Sequence, residues 1–252
     1  MNDYVIGKLM GRCGNQFYQI ATSYAYARKH GLAHFITSNA QNCDNDAYYF
    51  RGIFPTMDFA SNSYEERRDH RGLALYEPIP PMTNVILIGY WQCFDYFNEY
   101  RDILLDLFNL PYELKSGVVS IHVRRGDFLK GENNECVLSL DYYRNCISYL
   151  YEKGYKSFRV FSDDISWCKT VFTEFFYPDD IKFSFSEGKT ELEDMSEMSS
   201  CEHNIVANSS FSFAASWFNR NPNKIVLCPD YEHLFGGHNT SMIPNNYIKI
   251  YT

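Results

Sequence analysis

The chain of 252 residues has few of the features that would tie it to a membrane, a nucleic acid or a metal. No apolar run approaches the roughly 18–20 residues that cross a bilayer. The N-terminus, Met1-Asn2-Asp3-Tyr4-Val5-Ile6, lacks a basic flank followed by an apolar stretch, so no secretory signal is expected. Positive charge is in deficit: 23 Lys and Arg against 31 Asp and Glu leave a net charge of -8, which argues against a nucleic-acid surface. The eight cysteines include no C-x-x-C pair. Cys146, Cys168, Cys201 and Cys228 stand in apolar contexts that suit reduced core thiols of a cytoplasmic protein. Also missing are the G-x-G-x-x-G fingerprint, the Walker lysine loop and the G-x-S-x-G elbow, which excludes the common dinucleotide, P-loop and serine-hydrolase assignments. No internal repeat or low-complexity segment is present.

Apolar and aromatic residues, in contrast, are plentiful. Hydrophobic residues make up 45% and aromatic residues 17%, ample for packed cores. The length suits two domains of about 120 residues each. Tyr4 to Leu9 reads as a first strand, followed by the turn Gly11-Arg12-Cys13-Gly14-Asn15-Gln16. A helix then runs to about Lys29, with Gly31 as its stop. His34–Thr37 is a second strand. Residues 39–84, rich in Asn, Asp, Tyr, Arg and Pro, read as loops and short helices. Val85–Tyr90 is a buried strand, Phe94–Phe108 has helical spacing, and a linker falls near 109–116. The two domains are therefore expected at 1–115 and 116–252.

The second half alternates cleanly. Strands are expected at 117–123, 158–161, 182–185, 204–207 and 224–228, and helices at 140–153, after Asp164, from Thr190 through Cys201, and at 211–218. This alternation implies a parallel sheet with helices on both faces. Thr190-Glu191-Leu192-Glu193 is a capping box.

The most informative stretch is Ser120-Ile121-His122-Val123-Arg124-Arg125-Gly126-Asp127. A buried strand ends in an imidazole, two guanidiniums, a glycine and a carboxylate. In an open α/β sheet the carboxyl end of a strand is where ligands sit. Two adjacent arginines there form a permanently charged clamp suited to a phosphate or diphosphate. Asn208-Ser209-Ser210-Phe211-Ser212 joins a strand end to a helix start, where backbone N–H groups favour anions, although the serines also suit plain helix capping. Ser162-Asp163-Asp164 reads first as an N-cap. Asp194, in the first turn of its helix, complements the helix dipole.

Two metal readings are weak. Asp44-Asn45-Asp46 spells D-x-D, but in an Asn-rich loop it reads as turn chemistry. His30 and His34 straddle Gly31 with no accompanying cysteine pair.

Taken together, these blocks resemble the α-1,2-fucosyltransferase family across nearly the whole chain, with His122-Val123-Arg124-Arg125-Gly126-Asp127 and Asn208-Ser209-Ser210-Phe211-Ser212 the most specific. The resemblance implies a GT-B-like α/β fold: two Rossmann-like domains with parallel sheets facing across a cleft, the first on the acceptor side and the second binding the donor. It implies GDP-L-fucose as donor, inversion at the anomeric carbon and no required metal or cofactor. The implied product is fucose α-1,2-linked to a galactose-terminated acceptor, as in O-antigen or capsule synthesis. A lipid-linked acceptor would bring the enzyme to a membrane surface without spanning it.

Related α-1,6- and protein O-fucosyltransferases share the donor site and suggest roles by analogy. His122 and Asp194 hold the guanine side and Arg124 holds the β-phosphate. Ser209 and Ser210, with Asn208 and Phe211, meet the diphosphate. The loop of Gly11, Gly14 and Asn15 lines the cleft. Arg125 is catalytic or structural, and Asp127 is the candidate general base. The competing expectations are a fucosyltransferase of another linkage and a non-catalytic nucleotide-sugar or glycan binder on the same fold.

Overall fold

A computed structural model describes residues 3–37, 48–57, 65–68, 76–130, 137–174, 178–230 and 243–251. The chain forms two compact units, one from Met1–Leu110 with His238–Pro244 and the other from Pro111–Gly237 with Asn245–Thr252.

In the first unit, strand β1 (Tyr4–Gly7) leads into helix α1 (Cys13–His30), followed by β2 (Ala33–Thr37). Gly31 ends α1 in the left-handed conformation (φ 67°), and its N–H donates to the Ala27 carbonyl. Arg28, Lys29 and His30 in the last turn match the negative end of the helix dipole. Three further strands follow: β3 (Thr56–Met57), β4 (Glu65–Arg68) and β5 (Val85–Ile88). Their order in the sheet is β3-β2-β1-β5-β4, and each pairing is parallel. Val5, Ile6, Val85, Ile86 and Leu87 are buried. Fully burying a side chain of this size contributes about 1.5–3 kcal/mol.

Two sequence expectations are corrected in this unit. The segment 39–84 was expected to hold only loops and short helices, yet it supplies β3 and β4. These strands sit at the two edges of the sheet. β4 is Glu-Glu-Arg-Arg, a charged edge strand with no apolar alternation to announce it. The helix expected from Phe94 begins only at Arg101. Short 3₁₀ turns at Phe94–Tyr96 and Asn98–Tyr100 precede helix α2 (Arg101–Phe108), because Phe97 (φ -142°) breaks the helical run. Consequently Leu104, Leu105 and Phe108 face inward, and Ile103 is exposed.

The second unit contains β6 (Lys115–Val123), α3 (Leu140–Tyr151), β7 (Ser157–Ser162), α4 (Ile165–Glu174), β8 (Lys182–Phe185) and α5 (Glu191–Ser200). It continues with β9 (Cys201–Ile205), α6 (Ser210–Phe218), β10 (Val226–Pro229) and β11 (Ile248–Ile250). Thr190 and Glu193 form both halves of the capping box that opens α5. That helix ends one residue earlier than expected, since Cys201 already belongs to β9. The unanticipated β11 adds a parallel edge strand beside β10.

The all-parallel order β8-β7-β6-β9-β10-β11 is that of a doubly wound sheet. Val119, Ile121 and Val123 of β6 pack with Phe158, Val160, Tyr142, Tyr143 and Leu227 in its core. Cys146, Cys168, Cys201 and Cys228 are buried free thiols. Burial pushes Cys168 up to about 11 and Cys201 up to about 12, so neither is a thiolate nucleophile at neutral pH. Among the described residues, no helix is long and apolar enough to cross a membrane.

Candidate active site

In the second sheet the strand order reverses between β6 and β9, and the carboxyl ends of these two strands form the topological switch point. The His122–Arg124 segment leaves β6 there, and Asn208–Phe211 enters α6 after β9. A contact between the rings of His122 and Phe211, 5.4 Å between centroids, joins the two segments. On its other side β6 pairs with β7 in a register that sets Val123 opposite Ser162. The chain after β6 therefore runs beside Asp163 and Asp164.

This register organises the arginines. Arg124 pairs through NH1 with Oδ2 of Asp163 and through NH2 with Oδ1 of Asp127, each at 2.6 Å. The Asp127 side chain is 60% exposed and that of Asp163 is 22% exposed. Arg125 turns the other way. Its Nε donates to Asp164 Oδ2 at 3.2 Å, and its guanidinium carbon lies 3.6 Å from the centre of the Trp167 ring. Its backbone N–H donates to Asp163 Oδ1 at 2.9 Å. Asp164 also accepts the Trp167 N–H at 3.3 Å, so it is the N-cap of α4. The paired arginines are thus not one clamp: Arg124 faces Asp127 and Arg125 is fastened to α4.

At α6, Ser209 is the N-cap, its hydroxyl accepting the Phe211 N–H. Ser212 Oγ accepts the Ala207 N–H at 3.1 Å, which stiffens the same turn. Among the described residues, two buried polar atoms at this edge have no hydrogen-bond partner: His122 Nδ1 and Asn208 Nδ2. Their residues are only 5% and 6% exposed. A buried polar group without a partner costs about 1–3 kcal/mol, a cost that a hydrogen-bonding ligand or an ordered water would relieve. Burial, and next the Arg124 charge, lower the His122 pKa to about 3, only partly offset by Asp163. The imidazole is therefore neutral at physiological pH, able to donate or accept one hydrogen bond to a ligand.

Asp194 stands apart from this group. Its Oδ1 accepts the Ser186 hydroxyl at 2.6 Å, and Ser186 immediately follows β8, two strands from β6. Burial raises its pKa, while the Ser186 hydrogen bond pulls it back.

In the first unit, Gly11 takes φ +68°, and a Cβ there would run into the Asn15 side chain. Gln16 donates to the Gly11 carbonyl (3.2 Å), and the Met10 N–H donates to Gln19 (2.8 Å). Asn15 accepts from Gln92 (2.7 Å), which follows β5. Gly14 is buried in the first turn of α1. Gln19, Gln92, Asp163 and Trp167 thus support the loops that sequence reasoning singled out. Asp163 and Trp167 belong to a block that carries the family resemblance, Asp163 reading otherwise as a cap; no local signal marks Gln19 or Gln92.

His30 and His34 do not form a ligand pair. His30 ends α1 against the Tyr26 ring, whereas His34 lies in β2 and bonds Ser23 at 2.9 Å. Asp44 and Asp46 lie outside the described residues. Among those described, no cluster of three His, Cys, Asp or Glu side chains is placed to hold a metal ion.

Two α/β units with all-parallel sheets, the second doubly wound, define a GT-B-like fold. The crystal structure of POFUT1 in complex with GDP superposes with a TM-score of 0.51 at 13% identity, covering 90% of this chain and 98% of that one. Residues 8–235 match the model of glycosyl transferase family 11, and the chain belongs to that family. An alpha-1,2-colitosyltransferase of Escherichia coli is 30% identical over 269 aligned positions, covering 89% of this chain and 91% of the relative. A galactoside 2-alpha-L-fucosyltransferase, SEC1 of Bos taurus, is 23% identical over 232 positions, covering 82% of this chain and 62% of that protein.

Proposed function

We propose that this family 11 glycosyltransferase moves L-fucose from GDP-L-fucose to the 2-hydroxyl of a terminal β-galactoside, with inversion, in surface glycan synthesis. The observation that carries the reading is the switch point of the second sheet. There Arg124 presents a cation at the end of β6, the His122 ring meets Phe211 of α6, and His122 Nδ1 and Asn208 Nδ2 are buried and, among the described residues, unpartnered. A nucleoside diphosphate meets each of these needs at once.

In this reading a donor diphosphate competes with the exposed Asp127 for the NH2 edge of Arg124. Arg124 and the N-terminus of α6 stabilise the charge that develops on GDP as the fucose–phosphate bond breaks. His122 and Asn208 hydrogen-bond the donor, and Asp194 accepts from the guanine. Asp127, displaced from Arg124, takes the proton from the acceptor hydroxyl. Arg125 supports the loop from behind. The protein's own cations serve the leaving group, so no divalent ion is required.

The colitosyltransferase relative favours a second reading, in which the donor sugar lacks the 3-hydroxyl of fucose. A site that hydrogen-bonds that hydroxyl rejects the deoxy sugar strongly, whereas an apolar site does not. Transfer assays with GDP-fucose and GDP-colitose on β-galactosides, with the linkage read by NMR, decide between them. Calorimetry with GDP, UDP and ADP tests the base: GDP is expected to bind best, with Asp194→Ala erasing the preference. Equal binding of all three nucleotides to the unaltered protein overturns the guanine assignment.

A further inference from the structure

Asp163 makes more of the site than its sequence context suggests. One carboxylate serves both arginines: Oδ2 pairs with Arg124 NH1 at 2.6 Å, and Oδ1 accepts the Arg125 N–H at 2.9 Å. The next residue, Gly126, lies directly against it. A Cβ built on Gly126 would fall 2.7 Å from Asp163 Oδ2 and 3.1 Å from its Cγ. Gly126 has φ -24°, outside the left-handed region that glycine enters most readily. The absence of a side chain there serves the approach of the carboxylate.

We propose that Asp163 is the positioning residue of Arg124, and that Gly126 is glycine to admit it. The inference rests on the reading of Arg124 as the diphosphate-binding cation. The two nitrogens of the guanidinium have separate tasks. NH1 is tied to Asp163, whose side chain is less exposed than that of Asp127 and is fixed by the Arg125 backbone. Among the described residues NH2 is tied only to the exposed Asp127, whose ion pair water screens, and so is the exchangeable edge. Asp163 therefore aims the NH2 edge at the ligand and keeps the cation from swinging out with Asp127. Holding a cation in place before the ligand arrives spares the cost of ordering it on binding.

The test uses the full chain with GDP as probe. Asp163→Asn keeps an oxygen for the Arg125 N–H but loses the charge facing Arg124. It is expected to weaken GDP binding and lower kcat/KM on the order of 10- to 100-fold, with the melting temperature nearly unchanged. A purely structural Asp163 gives the opposite pattern, in which asparagine restores GDP binding fully, and that result overturns the proposal. Gly126→Ala supplies an independent measurement through a double-mutant cycle. It is expected to weaken GDP binding in the natural chain and to have little further effect beside Asp163→Ala. Equal losses in both backgrounds overturn the link between Gly126 and Asp163. Arg124→Ala separates the two levels of the argument. If it leaves GDP affinity intact, the function assigned to Arg124 fails; if it weakens GDP and Asp163→Asn does not, only the positioning role fails.

Discussion

Arg125 is stacked over Trp167, its guanidinium carbon 3.6 Å from the ring centre, and its Nε is held by Asp164. A half-desolvated cation–π contact contributes about 0.5–2 kcal/mol. The pair fastens the loop after β6 to the first turn of α4. Trp167→Leu is expected to lower stability by about 1–2 kcal/mol in urea unfolding. It should weaken GDP binding less than Arg124→Ala does. Arg125→Lys keeps the charge but loses the planar stack and should lower stability similarly. A Trp167→Leu protein with unchanged stability and abolished GDP binding would place Arg125 in the site itself.

Glu197 gathers three cations. Lys115 lies 2.6 Å away, Lys189 2.5 Å and Arg159 3.4 Å, and the carboxylate is only 11% exposed. Burial alone would raise its pKa, but the hydrogen bonds from Lys115 and Lys189, with the Arg159 charge, outweigh that and bring it to about 2. A carboxylate depressed in the folded state adds stability above its ordinary pKa, and that stability is lost as pH falls through the folded value. Melting temperature should therefore drop between about pH 4.5 and 2 as Glu197 is protonated. Glu197→Gln should lower the neutral-pH melting temperature and flatten this acid limb. An acid limb of unchanged steepness in the variant would assign the loss to other carboxylates.

Much of the second unit is legible in the sequence because each signal there is local. The apolar run through Ile121 followed by charge marks the end of β6, and the Thr190–Glu193 box marks the start of α5. What escapes notice depends on neighbours distant in the chain. β4 is four charged residues that become a strand only beside β5, and β11 is three residues completed by β10. Asp163 looks like a helix cap until the β6–β7 register sets it against Arg124. The adjacent arginines suggest one clamp, yet consecutive side chains at a strand end point to opposite sides, and the two have different partners.

Asp127 is the most exposed carboxylate of the Arg124 group, and its one ion pair lies with the residue assigned to the leaving group. If it is the general base, Asp127→Asn should slow fucosyl transfer by about 10²–10⁴-fold. GDP binding should hold or improve slightly, since the variant no longer competes for Arg124. Single-turnover rates and GDP calorimetry on the same preparation check both halves. Transfer at the natural rate would remove Asp127 from the chemistry.

Arg124 carries the last and most discriminating expectation. Its guanidinium sits at the end of a buried strand, with NH1 anchored on Asp163. Such an arrangement can neutralise a diphosphate leaving group with protein charge alone. Arg124→Ala is expected to lower kcat/KM by about 10²–10³-fold, the usual loss for a donor aimed at developing charge. Lysine should rescue poorly, because a single ammonium cannot bond Asp163 and a phosphate with the same fixed fork. Full activity should persist in excess EDTA. Suppose that EDTA instead abolishes turnover, manganese restores it, and Asp44→Ala or Asp46→Ala is inactive. The leaving group would then be served by a metal held by those aspartates, and Arg124 would be confined to holding the loop through Asp163.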